Sequence, residues 1–269
     1  MTIKNLLSPQ WTIFGNKENI QDPFDVAIVT PSIGRNEIAE SIKSVYAQSE
    51  KLSIQFLIGF DILKNQVEEA IYLLKNPPSN VTPCIFFPGY STSIRHGGLH
   101  LAKDGGALRC ILTHIANSKY ITYLDDDNTW DKTHLSDLMS VVKGPEWAFA
   151  LRYFIHPNTK EKLCIDQWES VGLKKGIFAE RFGGFVDPNC LIFNKLKYWQ
   201  CVSLWNMPLQ GDEKGMSADR NIFNYLSHQC PPGETNRATV NYLMDPNDGL
   251  HNLRLSKIDE HIHRSNQNK

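Results

Sequence analysis

Three aspartates in succession, Asp125-Asp126-Asp127, follow the apolar run from Tyr120 to Leu124. Like charges this close disfavour one another's ionised form, so the triplet needs compensation. A divalent cation could supply it. Mg2+ or Mn2+ typically takes one or two carboxylates and completes its shell with substrate phosphate oxygens. The same cation would neutralise a diphosphate. The plainer alternative is a solvated turn before the next helix, with Asp131 or Thr133 as the cap. Position decides between them, because a strand end in an α/β sheet is where ligands bind.

The elements around the triplet supply that position. "FDVAIVTP" (Phe24 to Pro31) reads as a buried strand, and "EIAESIKSVYAQ" as a helix with Ile38, Ile42, Val45 and Tyr46 at helical spacing. "IQFLIGFD" (Ile54 to Asp61) is the next strand. "QVEEAIYLLK" reads as a helix stopped by Pro77-Pro78, and "CIFFP" as a short strand. "GGALRCILTHIAN" puts Leu108, Ile111, Leu112 and Ile115 on one helical face. "YITYL" is then a strand and "THLSDLMSVV" a helix. Strands alternating with helices predict an α/β fold, a mainly parallel sheet flanked by helices. Thr30-Pro31, Asp61 and Asp125 to Asp127 should gather along one sheet edge. The second half is less regular. "WAFALRYF" reads as a strand turning into a hairpin, "FGGFVDPNCLIF" as two glycines before a short apolar strand, and "SADRNIFNYLSHQ" as a helix capped by Ser217. From Asp245 onward, rich in Asn, His, Lys and Arg, the chain reads as loop and tail.

Composition removes other classes. The chain has 269 residues, 41% hydrophobic and 21% charged, with a formal net charge of −1. That balance suits an ordinary globular domain and provides no field to draw nucleic acid or an anionic membrane. No run reaches the length of a membrane-spanning helix. The start "MTIKNLLSPQWTIFGNKEN" lacks an apolar signal core, so the expected compartment is the cytoplasm. The six cysteines form no Cys-x-x-Cys pair and are expected to be reduced and mostly buried.

"YITYLDDDN" after "GGALRCILTHIANSK" resembles the core of GT-A glycosyltransferases, especially the family 2 nucleotide-sugar enzymes. Those carry an Arg on a helix, a short turn, then an apolar strand ending in an Asp-x-Asp type motif. "AIVTPSIGR" resembles their first strand and turn, "LIGFD" their second strand, and "DDDNTW" also resembles the Asp-rich motif of animal glucuronyltransferases. The resemblance implies one GT-A (Rossmann-like) domain over 1–269, with a mixed, mainly parallel sheet. Its nucleotide-sugar half would span about 22–130, its acceptor half about 131–250, and a tail 251–269.

The resemblance also implies roles. Thr30 and Pro31 would line the nucleotide pocket with Arg35 near it. Asp61 would accept a hydrogen bond from the base. Arg109 would approach the diphosphate or hold the aspartates. Asp125 would contact the ribose or bind metal through water, and Asp127 would coordinate Mn2+ or Mg2+ with Asp126 supporting it. The donor would be a nucleotide diphosphate sugar, with UDP as the nucleotide, and the acceptor a hydroxyl on a glycan, lipid or small molecule. "GMSADRNIF" resembles the segment carrying the catalytic base, with Asp219 at the Asp position and Ala218 where a Glu is expected. Asp187, after Gly183-Gly184, competes for that role. His251 in "DPNDGLHNLRLS" would be a further metal ligand. Transfer would invert the anomeric centre.

Each assignment has a plainer counterpart. Asp61 could be a turn residue, Arg109 a surface helix charge, Asp187 a turn before Pro188, and Asp219 a first-turn carboxylate favoured by the helix dipole. Two other functions fit the same sheet. A sugar-nucleotide nucleotidyltransferase usually carries a Gly-rich, Lys- or Arg-bearing loop after its first strand, and "TPSIGRNE" has one Gly and one Arg. A sugar- or cation-binding protein would use the triplet without turnover.

Overall fold

The computed structural model describes residues 10–15, 21–63, 67–211 and 218–267. Ser217, expected as a helix cap, lies outside them. A ten-stranded mixed sheet forms the centre. Four strands run parallel: β2 (Phe24–Ser32), β3 (Ile54–Phe60), β4 (Val81–Phe87) and β5 (Ser118–Tyr123). They lie in the order β4-β3-β2-β5, and β1 (Gln10–Ile13) adds an antiparallel edge beside β4. All seven residues of β3 are buried. A strand covered on both faces explains why it reads as a continuous apolar run instead of an alternating one.

The chain winds outward from β2 to β4 and returns to β5 on the other side of β2. The order reverses between β2 and β5, and the crevice beyond their carboxyl ends is where such sheets bind ligands. Pro31 and Asp125 sit there by topology alone.

The sheet continues through β11 (Leu191–Asn194), β7 (Trp147–Ile155), β12 (Gly233–Leu243) and β6 (Thr129–Trp130), with β8 (Lys162–Ile165) on β7. β11 runs antiparallel to both β5 and β7, so the sheet is mixed, as the GT-A resemblance implies, with its parallel strands in the first half. β9 (Gly172–Leu173) and β10 (Gly184–Phe185) form a separate two-stranded ribbon. The expected tail is corrected: a helix covers His251–Gln267. Its Arg254 and Ile258 are buried, and that anchoring overrides a sequence with little helical pattern.

The helix Gly106–Ile115 seats Leu108 and Leu112 against Gly59 of β3, where an added Cβ would lie 3.0–3.3 Å from them. It is turned so that Arg109 is buried, while Ile111 and Ile115 of the expected apolar face remain exposed. Its start is confined. A Cβ on Gly105, whose φ is +69°, would come within 2.5 Å of Pro31, and one on Gly106 within 2.1 Å of the Trp205 carbonyl oxygen. Only glycine permits that approach, which sets Arg109 beside the end of β5. All six cysteines are free thiols, five of them buried. Among the described residues no helix is long and apolar enough to cross a membrane.

Candidate active site

A cleft of about 1060 Å3 opens at the carboxyl ends of β2 and β5. That is at or above the upper end of the roughly 300–1,000 Å3 of small-molecule sites, with room for two substrates. Pro31, Arg35, Asp61, Arg109, Asp125, Asp126, Asp127, Asp187 and Asp219 all line it. Thr30 does not. It is fully buried within β2, and strand alternation turns it to the face opposite Pro31. His251 opens the C-terminal helix, half-buried and outside the lining, although its neighbours Leu250 and Arg254 belong to it. Its Nδ1 is buried without a hydrogen-bond partner.

The three aspartates have different duties. Asp125 forms an ion pair with Arg109 and accepts from Asn189 Nδ2 at 2.8 Å. Burial opposes its ionisation, but the guanidinium and the amide outweigh it and hold the carboxyl below the usual range. Asp126 is the buried member, with its side chain 1% exposed. It accepts from Ser32 Oγ at 2.6 Å and the Ile33 amide at 3.3 Å, and pairs with Arg35. Asp127 keeps 27% exposure, and among the described residues its ion pair is to Arg35 at 3.2 Å. Burial, partly offset by Arg35 and reinforced by Asp125 and Asp126, pushes it up to about 7. Two arginines of the chain itself therefore relieve much of the repulsion within the triplet, which the sequence alone left to a cation.

Arg109 is held by more than charge. Its guanidinium lies 4.9 Å from the ring centre of Trp205 and 5.6 Å from that of Tyr123, within cation–π range. Asp61 organises the turn after β4. One oxygen accepts from the Thr92 amide and hydroxyl, both at 2.6 Å, and the other from Ser91 Oγ at 2.6 Å. Its carboxylate therefore borders the cleft with most of its accepting capacity in use.

No three His, Cys, Asp or Glu side chains converge on a metal position among the described residues. A cation here would draw ligands from the substrate as well as from the protein. The donor set fits that arrangement: Asp127 is half-free, whereas Asp125 and Asp126 are taken by Arg109, Asn189, Ser32 and Arg35.

Both candidate bases line the same cleft. Asp219, in the first turn of the helix Ala218–Ser227, accepts from the adjacent Arg220 amide at 2.8 Å, its one hydrogen bond among the described residues. Burial, opposed by Arg220 and aided by Asp187 and Asp104, pushes its pKa up to about 7. Asp187 is bound on both oxygens. Oδ2 accepts from Arg152 Nη1 at 2.6 Å, and Oδ1 from the amide and Nδ2 of Asn189 at 2.9 and 2.7 Å.

Sequence reasoning missed Arg152, Glu169, Arg254 and Asn189. Arg152, 1% exposed, also pairs with Asp166 and Glu169 at 2.8 Å, and Arg254 grips Glu169 through two bonds of 2.8 and 2.9 Å. One signal was available: Arg152 interrupts "WAFALRYF", and a charge inside a buried strand demands partners.

Solved structures share this architecture. TarS of S. aureus, residues 1–349, superposes with a TM-score of 0.55 at 12% identity, over 81% of this chain and 60% of that one. The chain has the GT-A fold. TarS 1–349 in complex with UDP-GlcNAc matches with a TM-score of 0.54 at 12% identity, over 84% of this chain and 60% of that one. Its complex with UDP matches with a TM-score of 0.54 at 13% identity, over 82% and 61%. This GT-A chain thus spans about 60% of the length of those TarS structures. No protein-family model and no curated protein sequence matches it.

Proposed function

We propose that this chain is a glycosyltransferase that moves a sugar from a nucleotide diphosphate sugar, with UDP as the nucleotide, to an acceptor hydroxyl. The observation that carries the reading is the lining of one cleft at the β2–β5 reversal. The Asp125 to Asp127 cluster with Arg35 and Arg109 and a carboxylate raised toward neutrality, Asp219, both border it. The solved complexes of TarS with UDP-GlcNAc and UDP support the choice of donor.

In this reading the nucleotide lies against Pro31 and Asp61. Asp127 and the donor diphosphate would together hold Mn2+ or Mg2+, which supplies charge neutralisation for the leaving group. His251 offers a further ligand through its unpartnered ring nitrogen. Arg35 and Arg109 keep Asp125 and Asp126 oriented. Asp219 accepts the proton of the acceptor hydroxyl as it attacks the anomeric carbon, and a carboxyl poised near neutral pH suits that work. Asp187 does not compete, because Arg152 and Asn189 occupy both its oxygens. Attack opposite the leaving group inverts the anomeric centre.

The test is release of UDP from a panel of UDP-sugars incubated with the protein, Mn2+ and mixed acceptors. UDP formed from one donor and absent with Asp219→Asn supports the reading. No release from any donor overturns it.

A further inference from the structure

We infer that Asn189 is a positioning residue that fixes Asp125 and ties it to Asp187, so that the carboxylates following β5 and β10 are held as one unit. The inference rests on the nucleotide-sugar reading of the cleft and deepens it.

Asn189 sits in a short 3-10 turn, Pro188–Cys190, and is fully buried. Its Oδ1 accepts from the Asp125 amide at 2.6 Å. Its Nδ2 donates to Asp125 Oδ2 at 2.8 Å and to Asp187 Oδ1 at 2.7 Å. The last backbone bond of this edge is Leu124 N–H to Val29 O, so the strand hands Asp125 from the sheet ladder to a side chain 64 residues onward. A primary amide suits the position because it has an acceptor at one end and two N–H donors at the other. Asp would have no donor for the two carboxylates, and Ser is too short to reach both.

The turn is itself held from both sides. Trp130 Nε1 donates to the Asn189 carbonyl at 3.0 Å. Behind Asp187 stands Arg152, then Glu169, then Arg254 on the C-terminal helix. Asn189 is therefore where this relay of buried charges meets the carboxylate that Arg109 grips.

Asn189→Asp is nearly isosteric and replaces the donor by an oxygen. Asn194→Ala is the control. Asn194 is also buried and bonded, to Glu146 and to the Leu196 amide, but lies outside the cleft lining. Amide hydrogen exchange at Asp125 in the ligand-free protein and UDP affinity with Mn2+ are measured for each. The expected result in Asn189→Asp is faster exchange at Asp125, because a third carboxylate repels those of Asp125 and Asp187 and opens the turn that holds the Asp125 amide, and UDP binding weakened about tenfold to a hundredfold, from loss of hydrogen bonds to charged groups. Asn194→Ala should change neither, even where it lowers the unfolding temperature. Wild-type exchange and affinity in Asn189→Asp, or equal losses in Asn194→Ala, overturn the inference. If wild-type protein binds no UDP, the functional reading fails, while the exchange result still decides the role of Asn189. If Asn189→Asp does not fold, Asn189→Ser is read the same way.

Discussion

Asp187 and Asp219 line the same cleft with unequal hydrogen-bond loads. Among the described residues, Asp187 accepts from Arg152 and twice from Asn189, whereas Asp219 accepts only from the amide of the next residue. A carboxylate satisfied on both oxygens is a poor proton acceptor, and one raised toward neutrality is a good one.

Asp219→Asn should therefore lower kcat by about 10²–10⁴-fold, the usual contribution of a general base, while UDP affinity stays unchanged. In the proposed mechanism the ionised form of Asp219 takes the proton. With its pKa raised to about 7, kcat/KM should climb as pH rises through that value and level off above it. That limb should disappear in the variant. A pH–rate profile of both proteins checks the assignment.

Arg152→Met should destabilise the fold by about 3–5 kcal/mol, because removing one member of a buried ion cluster leaves the others uncompensated. Asp166, Glu169 and Asp187 all lose a partner at 2.6–2.8 Å. Urea unfolding followed by fluorescence measures it.

Asp127→Ala and Asp126→Ala should separate. Loss of Asp127 should abolish the strengthening of UDP binding by Mn2+ with little change in stability. Loss of Asp126 strands the Ser32 hydroxyl and the Ile33 amide and takes from Arg35 one of its two carboxylate partners. It should cost about 1–3 kcal/mol of stability. Calorimetric titrations with and without Mn2+, paired with thermal unfolding, distinguish the two.

Gly106→Ala should destabilise by about 1–3 kcal/mol through overpacking. The new methyl would fall 2.1 Å from the Trp205 carbonyl oxygen, a contact only backbone movement can relieve. The same movement displaces the helix carrying Arg109, so UDP binding should weaken too.

The parallel half was legible because burial on both faces leaves a plain signal. β2 and β3 are apolar runs, and the helix between them, Ile38–Tyr46, keeps its period. β12 gave no such signal. "GETNRATVNYL" is largely polar, is only partly buried, and its pairing with β7 shifts register between Glu234 and Val240. Its place is set by neighbours on both sides, β7 and β6, that lie far away in sequence.

That Pro31, Asp61 and Asp125 to Asp127 would border one cleft was readable for the same reason: they stand at the ends of strands the pattern reveals. Asn189 was not, because Asp187-Pro188-Asn189 has the chemistry of an ordinary turn. The C-terminal helix was hidden as well. Its attachment rests on Arg254 with Glu169 and Asp248, a tertiary pairing that no local period announces.

In the proposed function the cleft at the β2–β5 reversal binds a nucleotide sugar. Calorimetric titration of the protein with UDP and a panel of UDP-sugars in the presence of Mn2+ tests it most directly. The account predicts saturable one-site binding of UDP and of at least one UDP-sugar, weakened at least about tenfold by Asp127→Ala, as loss of a ligand to a charged group implies. No binding of any of them, or binding equally strong in Asp127→Ala, would contradict it.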